Sequence, residues 1–219
     1  TDDLTRTSIE LPEPVSTLPD GMSQSIFYGF GSDGTVGANK QAARILGSKA
    51  GKWAQEYSWF DSKKSGGLTI SYMRLSDNPI HSPYLITDAD YVACHKDIYI
   101  TRLYPMTDAL KDGGTFVLNS SWSVEDMDRI FPASFKRGIA SKHARFYNID
   151  ASAIAQKAGL GSKINMIMET VFLKLSGVMD LTEAIDALKA DVKVMYASKG
   201  QDVVQKNLTA IDSAIEGIQ

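Results

Sequence analysis

Glycines at 29, 31 and 34, in Gly29-Phe30-Gly31-Ser32-Asp33-Gly34, mark the chemistry this chain is best equipped for. They follow the apolar, β-prone run Ile26-Phe27-Tyr28 and lead through Thr35, Val36 and Gly37 into a helix-competent segment. Glycine serves where φ is positive, or where a ligand must approach the backbone with no Cβ in the way. Amides at the head of the following helix point outward, and the helix dipole adds partial positive charge there. The stretch therefore predicts an anion site, most simply for phosphate. Strand, tight turn and helix start are also the context that the dinucleotide fingerprint requires. That fingerprint expects an acidic side chain about 20 residues further on to hold a ribose. The comparable position is Asp61, but it is followed by Lys63 and Lys64, compact point charges that suit a phosphate better than a diol. The bland alternatives are a βα connection that binds nothing and two solvated loop lysines.

The other reactive side chains form no catalytic group. Cys94 and His95 are neighbours, yet successive strand residues point to opposite faces, so the pair is poorly placed to share a proton. Cys94 reads as a small buried hydrophobe. His81, His95 and His143 lack metal-ligand spacing, and no Ser-His-acid grouping is legible. Asn165 and Asn207 stand in otherwise periodic helical segments, where each reads as a cap or a surface amide.

The elements that must hold these residues alternate. Strands are expected at about 24–29, 53–60, 68–75, 91–95, 115–119 and 145–149. Helices are expected at about 36–48, 99–110 and 151–158, with a start at Ser123 supported by Asp126 and a cap at Asp150. After Gly159-Leu160-Gly161 the pattern turns helical throughout, over 164–175, 181–196 and 201–218, with Gly177 and Gly200 between. Strands alternating with helices imply an α/β, Rossmann-like, mostly parallel sheet covered on both faces, followed by a helical C-terminal region. Residues 1–23, with Pro12, Pro14 and Pro19, read as an extended linker or wrapping segment, and 24–219 as the domain.

A length of 219 residues and a 43% hydrophobic fraction suit one such domain with a real core. The net charge of -3 gives no sign of nucleic-acid binding. One cysteine leaves no internal disulfide framework and no Cys-cluster metal or iron–sulfur site. No apolar run is long enough to span a bilayer, and the polar start Thr-Asp-Asp-Leu is no secretory signal. The expected location is intracellular and cytoplasmic, with a eukaryotic organelle left open. The absence of an initiator Met hints at a piece of something longer.

The stretches Tyr28 to Lys40 and Tyr57 to Ser71 closely resemble pyruvate:ferredoxin (or flavodoxin) oxidoreductases. So do Ser82 to Ile86, Asp90 to His95, Gly113 to Asn119 and Ile164 to Met168, within a match over about 24–215. The chain is similar to the gamma-type domain of the 2-oxoacid oxidoreductases. That resemblance implies oxidative decarboxylation of pyruvate to acetyl-CoA by a larger enzyme using thiamine diphosphate, magnesium and iron–sulfur clusters. Ferredoxin, flavodoxin or NADP would accept the electrons, and the parent would be a homodimer. The implied role here is a share of the coenzyme A site. Gly31, Ser32, Asp33, Gly34, Thr35, Val36 and Gly37 would lie against the phosphates, with Lys63, Lys64 and Ser65 as a second anion-facing group. Asn165 and Asn207 would make further contacts. Thiamine- and cluster-binding motifs of the family are missing, which fits a single excised domain that does not turn over pyruvate alone. Related domains are also fused in pyruvate:NADP oxidoreductases and in some sulfite reductase flavoproteins. Two other readings stay open: a structural bridge between domains, and a free-standing NAD(P)-dependent oxidoreductase.

Overall fold

The computed structural model describes residues 4–5, 18–62 and 66–218. Most of the expected connector over 1–23 lies outside the described residues, and its last residue, Ser23, already belongs to a strand. Six strands form one sheet: β1 (Ser23–Phe30), β2 (Trp53–Phe60), β3 (Leu68–Ser76), β4 (Ala89–Cys94), β5 (Leu110–Asn119) and β6 (Arg145–Ile149). Their spatial order is β2-β3-β1-β4-β5-β6. β1 pairs in parallel with β4, β4 with β5, and β5 with β6, whereas β3 runs antiparallel to both β1 and β2. Five strands therefore share one direction, and the sheet is mixed but mostly parallel.

Side chains alternate across this sheet, as the period of two requires. Phe27, Met73, Tyr91 and Val117 point to one face, where α1 (Thr35–Lys49), α5 (Ala151–Lys157), α6 (Asn165–Ser176), α7 (Leu181–Met195) and α8 (Gln201–Glu216) enclose the larger core. Ile26, Tyr28, Cys94 and Phe116 point to the other face, toward α2 (Ile98–Thr101) and α4 (Ala133–Ser141). A further helix, α3 (Val124–Ile130), begins at Ser123, whose hydroxyl accepts from the Asp126 amide while Asp126 accepts in return. Cover on that second face is incomplete. Among the described residues no helix packs over β2 and β3 there, so Trp53, Tyr57 and Trp59 stay 54%, 54% and 43% exposed.

Two local expectations need correcting. The helix expected over 99–110 stops at Thr101, because Leu103 adopts a φ of 59° and Pro105 can neither donate to a helix nor follow a helical residue comfortably. Gly113 and Gly114, expected to end that helix, instead form a bulge inside β5: partners step from Ala89 with Leu110 to Tyr91 with Thr115. Gly113 supplies the positive φ of 69°. The helix α4 was not anticipated at all; it lies beyond the capped start at Ser123, where Pro132 at its N-cap ends one helix and opens the next.

Candidate functional site

The chain winds from β1 to β3 and β2 on one side, then returns to β4 on the other. The carboxyl ends of β1 and β4 therefore flank a topological switch point, where open α/β sheets bind their ligands. Phe30 and Gly31 stand at one end, His95 and Lys96 at the other. Between them lies a cleft of about 610 Å³. It continues, past Lys96, Asn119, Ser152 and Gln156, into a second cleft of about 260 Å³ beside the head of α5. A cleft of about 700 Å³ between α1 and α7 is larger, but it lies away from the strand ends, beside the Arg44–Asp191 ion pair.

The glycine turn is built as a clamp. Ser32 and Gly34 take positive φ values of 79° and 93°. The Asp33 amide donates to the Phe30 carbonyl at 2.9 Å, and the Asp33 carboxylate accepts from the amides of Phe30 and Thr35, each at 2.8 Å. This corrects the picture of wholly bare amides at the helix head: the turn's own carboxylate occupies that of Thr35. The amides of Val36 and Gly37 keep no acceptor among the described residues. Gly37 is exposed, and a Cβ there would meet nothing within 4 Å.

Each remaining glycine answers a close approach. A Cβ on Gly29 would strike the Thr35 side chain at 2.7 Å, and one on Gly34 would strike Asn165 at 2.9 Å. The structure thus brings Asn165, at the head of α6, directly onto the turn. Thr35 faces inward, 1% exposed, with its hydroxyl 2.8 Å from His95 Nδ1. Gly31 donates to the Gly67 carbonyl at 2.8 Å, tying the turn to the loop after β2. Lys63, Lys64 and Ser65 belong to that loop and lie outside the described residues. Asn207 is not among the residues lining the cleft: it is buried in α8, and its amide donates to the Val203 carbonyl at 2.8 Å.

Sequence reasoning missed two cations and one amide. Lys163 donates to the Ser32 carbonyl at 3.0 Å, and Lys96 stands 5.8 Å over the Phe30 ring. Asn119 donates to the His95 carbonyl and accepts from the Ala151 amide, both at 3.0 Å, which fixes the ends of β4 and β5 to α5. Lys96 and Asn119 both stand at the ends of recognised strands, so the switch-point rule was the available signal.

Burial lowers the His95 pKa, against the weaker opposing pull of the Asp33 charge, and its Nε2 has no partner among the described residues. Cys94 points away from it, into the other core. Its thiol donates to the Lys96 carbonyl at 3.1 Å, and burial pushes it up to about 12. Cysteine and histidine therefore share no proton. Among the described residues no group of His, Cys, Asp or Glu is placed to hold a metal ion, and no helix is long and apolar enough to cross a membrane.

The fold matches that of the pyruvate oxidoreductase subunit PORC of Thermotoga maritima, with a TM-score of 0.72 at 16% identity, over 91% of this chain and 98% of that one. It also matches the 2-oxoglutarate:ferredoxin oxidoreductase of Magnetococcus marinus, solved with 2-oxoglutarate, coenzyme A and succinyl-CoA bound. There the TM-score is 0.69 at 18% identity, over 90% of this chain and 31% of that one. In sequence, the pyruvate:ferredoxin oxidoreductase of Moorella thermoacetica is 48% identical over the whole of this chain and 19% of its own length. The chain thus spans about a fifth of that curated relative. The family described as pyruvate ferredoxin/flavodoxin oxidoreductase matches residues 24–217, and this chain belongs to that family.

Proposed function

We propose that this chain is the part of a multidomain oxidoreductase that holds and positions coenzyme A. The parent would decarboxylate pyruvate oxidatively to acetyl-CoA, passing an electron pair to ferredoxin, flavodoxin or NADP. Thiamine diphosphate, magnesium and iron–sulfur clusters would sit in its other domains, in a homodimeric assembly, and the chain alone would be inactive. Support comes from the family match and from the coenzyme A bound to the Magnetococcus marinus protein of like fold.

The observation that carries the reading is Gly37. In the first turns of a helix a glycine costs about 1 kcal/mol relative to alanine. Among the described residues nothing needs the missing Cβ at this position, and the amides of Val36 and Gly37 have no acceptor, one turn of helix beyond the cleft-lining Asp33. A ligand that must touch backbone explains the residue. Lys96 and Lys163 add positive charge on the flanks, and Asn119 and Gln156 offer amides further along the cleft. Coenzyme A supplies the thiol that receives the acyl group. The residues of this chain fix where that thiol lies, converting a chance encounter into an oriented one.

Calorimetric titration of the parent enzyme with coenzyme A and dephospho-coenzyme A tests this. Wild type should bind coenzyme A more tightly than its dephospho form, and Gly37→Val should weaken both at least ten-fold. The two ligands differ by the 3′-phosphate, so equal affinity would mean that none of Lys63, Lys64, Lys96 and Lys163 holds that group. Binding of NADPH in preference to either would overturn the reading.

A further inference from the structure

The face of β2 and β3 turned away from α1 is aromatic and, among the described residues, only partly covered. Trp53, Tyr57 and Trp59 alternate along β2 on that side, opposite Tyr72 and Ile70 of β3. Tyr57 and Tyr72 stack, with ring centroids 6.3 Å and planes 29° apart. Between Trp53 and Tyr57 the same face carries Gln55 opposite Arg74, whose guanidinium is buried and saturated by Gln24, Gln55 and the carbonyls of Ser82 and Tyr84. β2 is also an edge strand, with no strand beyond it among the described residues. Edge strands are normally blunted by charge, proline or a bulge. Here the only charged residue of the strand is Glu56, it points to the α1 side, and there is no proline.

We infer that this face is the docking surface for a neighbouring domain of the same polypeptide, one that offers it an apolar counterface. Two facts choose that occupant. In the curated relative from Moorella thermoacetica the corresponding stretch is only 19% of the protein, so some four-fifths of such a polypeptide must pack somewhere. The patch itself is small. Three aromatic side chains, at roughly 150–250 Å² apiece and about half exposed, present about 300 Å². A stable interface between separate copies needs about 800 Å² per partner. Contacts between domains of one chain hold with less, because the connecting chain keeps the partner at high effective concentration. The one charge on the face, Arg74, is buried and bonded, so the exposed contact is apolar and insensitive to salt.

Photo-crosslinking in the full-length enzyme tests this, with p-benzoylphenylalanine introduced at Tyr57 and, in a second variant, at Trp59. Mixed ¹⁴N- and ¹⁵N-labelled enzyme separates links within one chain from links between chains. The expected product joins either position to a peptide of the same chain outside residues 1–219. Links to this domain in a second copy, links confined to residues 1–219, or no linked peptide from either position would each overturn the inference. Kinetics with saturating coenzyme A confirm that the labelled enzymes are folded before irradiation.

Discussion

Thr35 Oγ1 lies 2.8 Å from His95 Nδ1, so one buried hydrogen bond joins the first residue of α1 to the end of β4 across the switch point. The contact exists because Gly29 leaves room for the threonine side chain. It makes the position of the helix head depend on a residue of a neighbouring strand.

Thr35→Val keeps the shape and removes the hydroxyl, leaving both nitrogens of a buried ring without partners. The expected cost is about 1–3 kcal/mol, measured by urea denaturation. The bond also gives a pH signature. Burial lowers the His95 pKa below its usual 6.5, with Asp33 opposing. An unfolded chain therefore takes up a proton below about 6.5 that the native ring refuses. Stability should be full above that pH and fall as pH drops below it, with a slope of up to about 1.4 kcal/mol per unit. His95→Asn should flatten the slope.

Glu169 titrates with the opposite sign. It is buried between α6 and its neighbours, both carboxyl oxygens lack partners among the described residues, and burial raises its pKa well above 4.5. The Asp191 charge pushes the same way and Arg44 opposes both. Above pH 4.5 the unfolded chain releases a proton that the native carboxyl keeps, so stability falls as pH rises toward the folded value. Glu169→Gln should match wild type at pH 4 and become progressively more stable toward pH 8, as followed by thermal unfolding across that range.

Gly34 combines two requirements that a double-mutant cycle can separate. Its φ of 93° disfavours any other residue, by about 1–2 kcal/mol, and its missing Cβ admits Asn165. Gly34→Ala should cost more than that conformational term alone. Adding Asn165→Gly, which removes the Cβ met at 2.9 Å together with the amide, should recover the steric part only, leaving a coupling of about 1 kcal/mol between the two sites. Additive losses would mean that the asparagine simply moves aside.

Gly37→Ala should do two things at once. Stability should rise by about 0.5–1 kcal/mol, since alanine is the better helix residue and has open space to enter. Affinity of the parent enzyme for coenzyme A should fall. A gain in stability with unchanged affinity would leave the glycine without a ligand-facing role.

Much of this architecture could be read from residue order because the signals were local. Trp53–Phe60 and Leu68–Ser76 carry β-prone side chains, and Ser123 and Asp150 cap helices as their types suggest. The glycine turn announced its own geometry. What escaped was settled by contacts distant in the chain. Strand direction leaves no mark on a period of two, so the antiparallel run of β3 was not visible. Apolar spacing over Tyr99–Leu110 resembled a helix, while Pro105 within it decided otherwise. That the Asp33 carboxylate accepts two amides of its own turn was not legible either, because it depends on how the turn closes. Lys96, Lys163 and Asn119 come to the crevice only once β4, β5 and α6 are assembled, although Asn119 ends one family-like stretch and Lys96 follows another.

The hairpin of β2 and β3 acts as a ruler. Its closing loop returns so that the Gly67 carbonyl meets the Gly31 amide at 2.8 Å, eight paired residues along from Ser76. Each strand residue advances about 3.4 Å, so trimming two from both arms would preserve which face every side chain occupies while drawing the tip back by about 7 Å. The Gly31 amide, at one end of the crevice, would lose its partner without any change at the His95 end. Length of a hairpin, rather than identity of a contact residue, would then decide whether the glycine turn is braced.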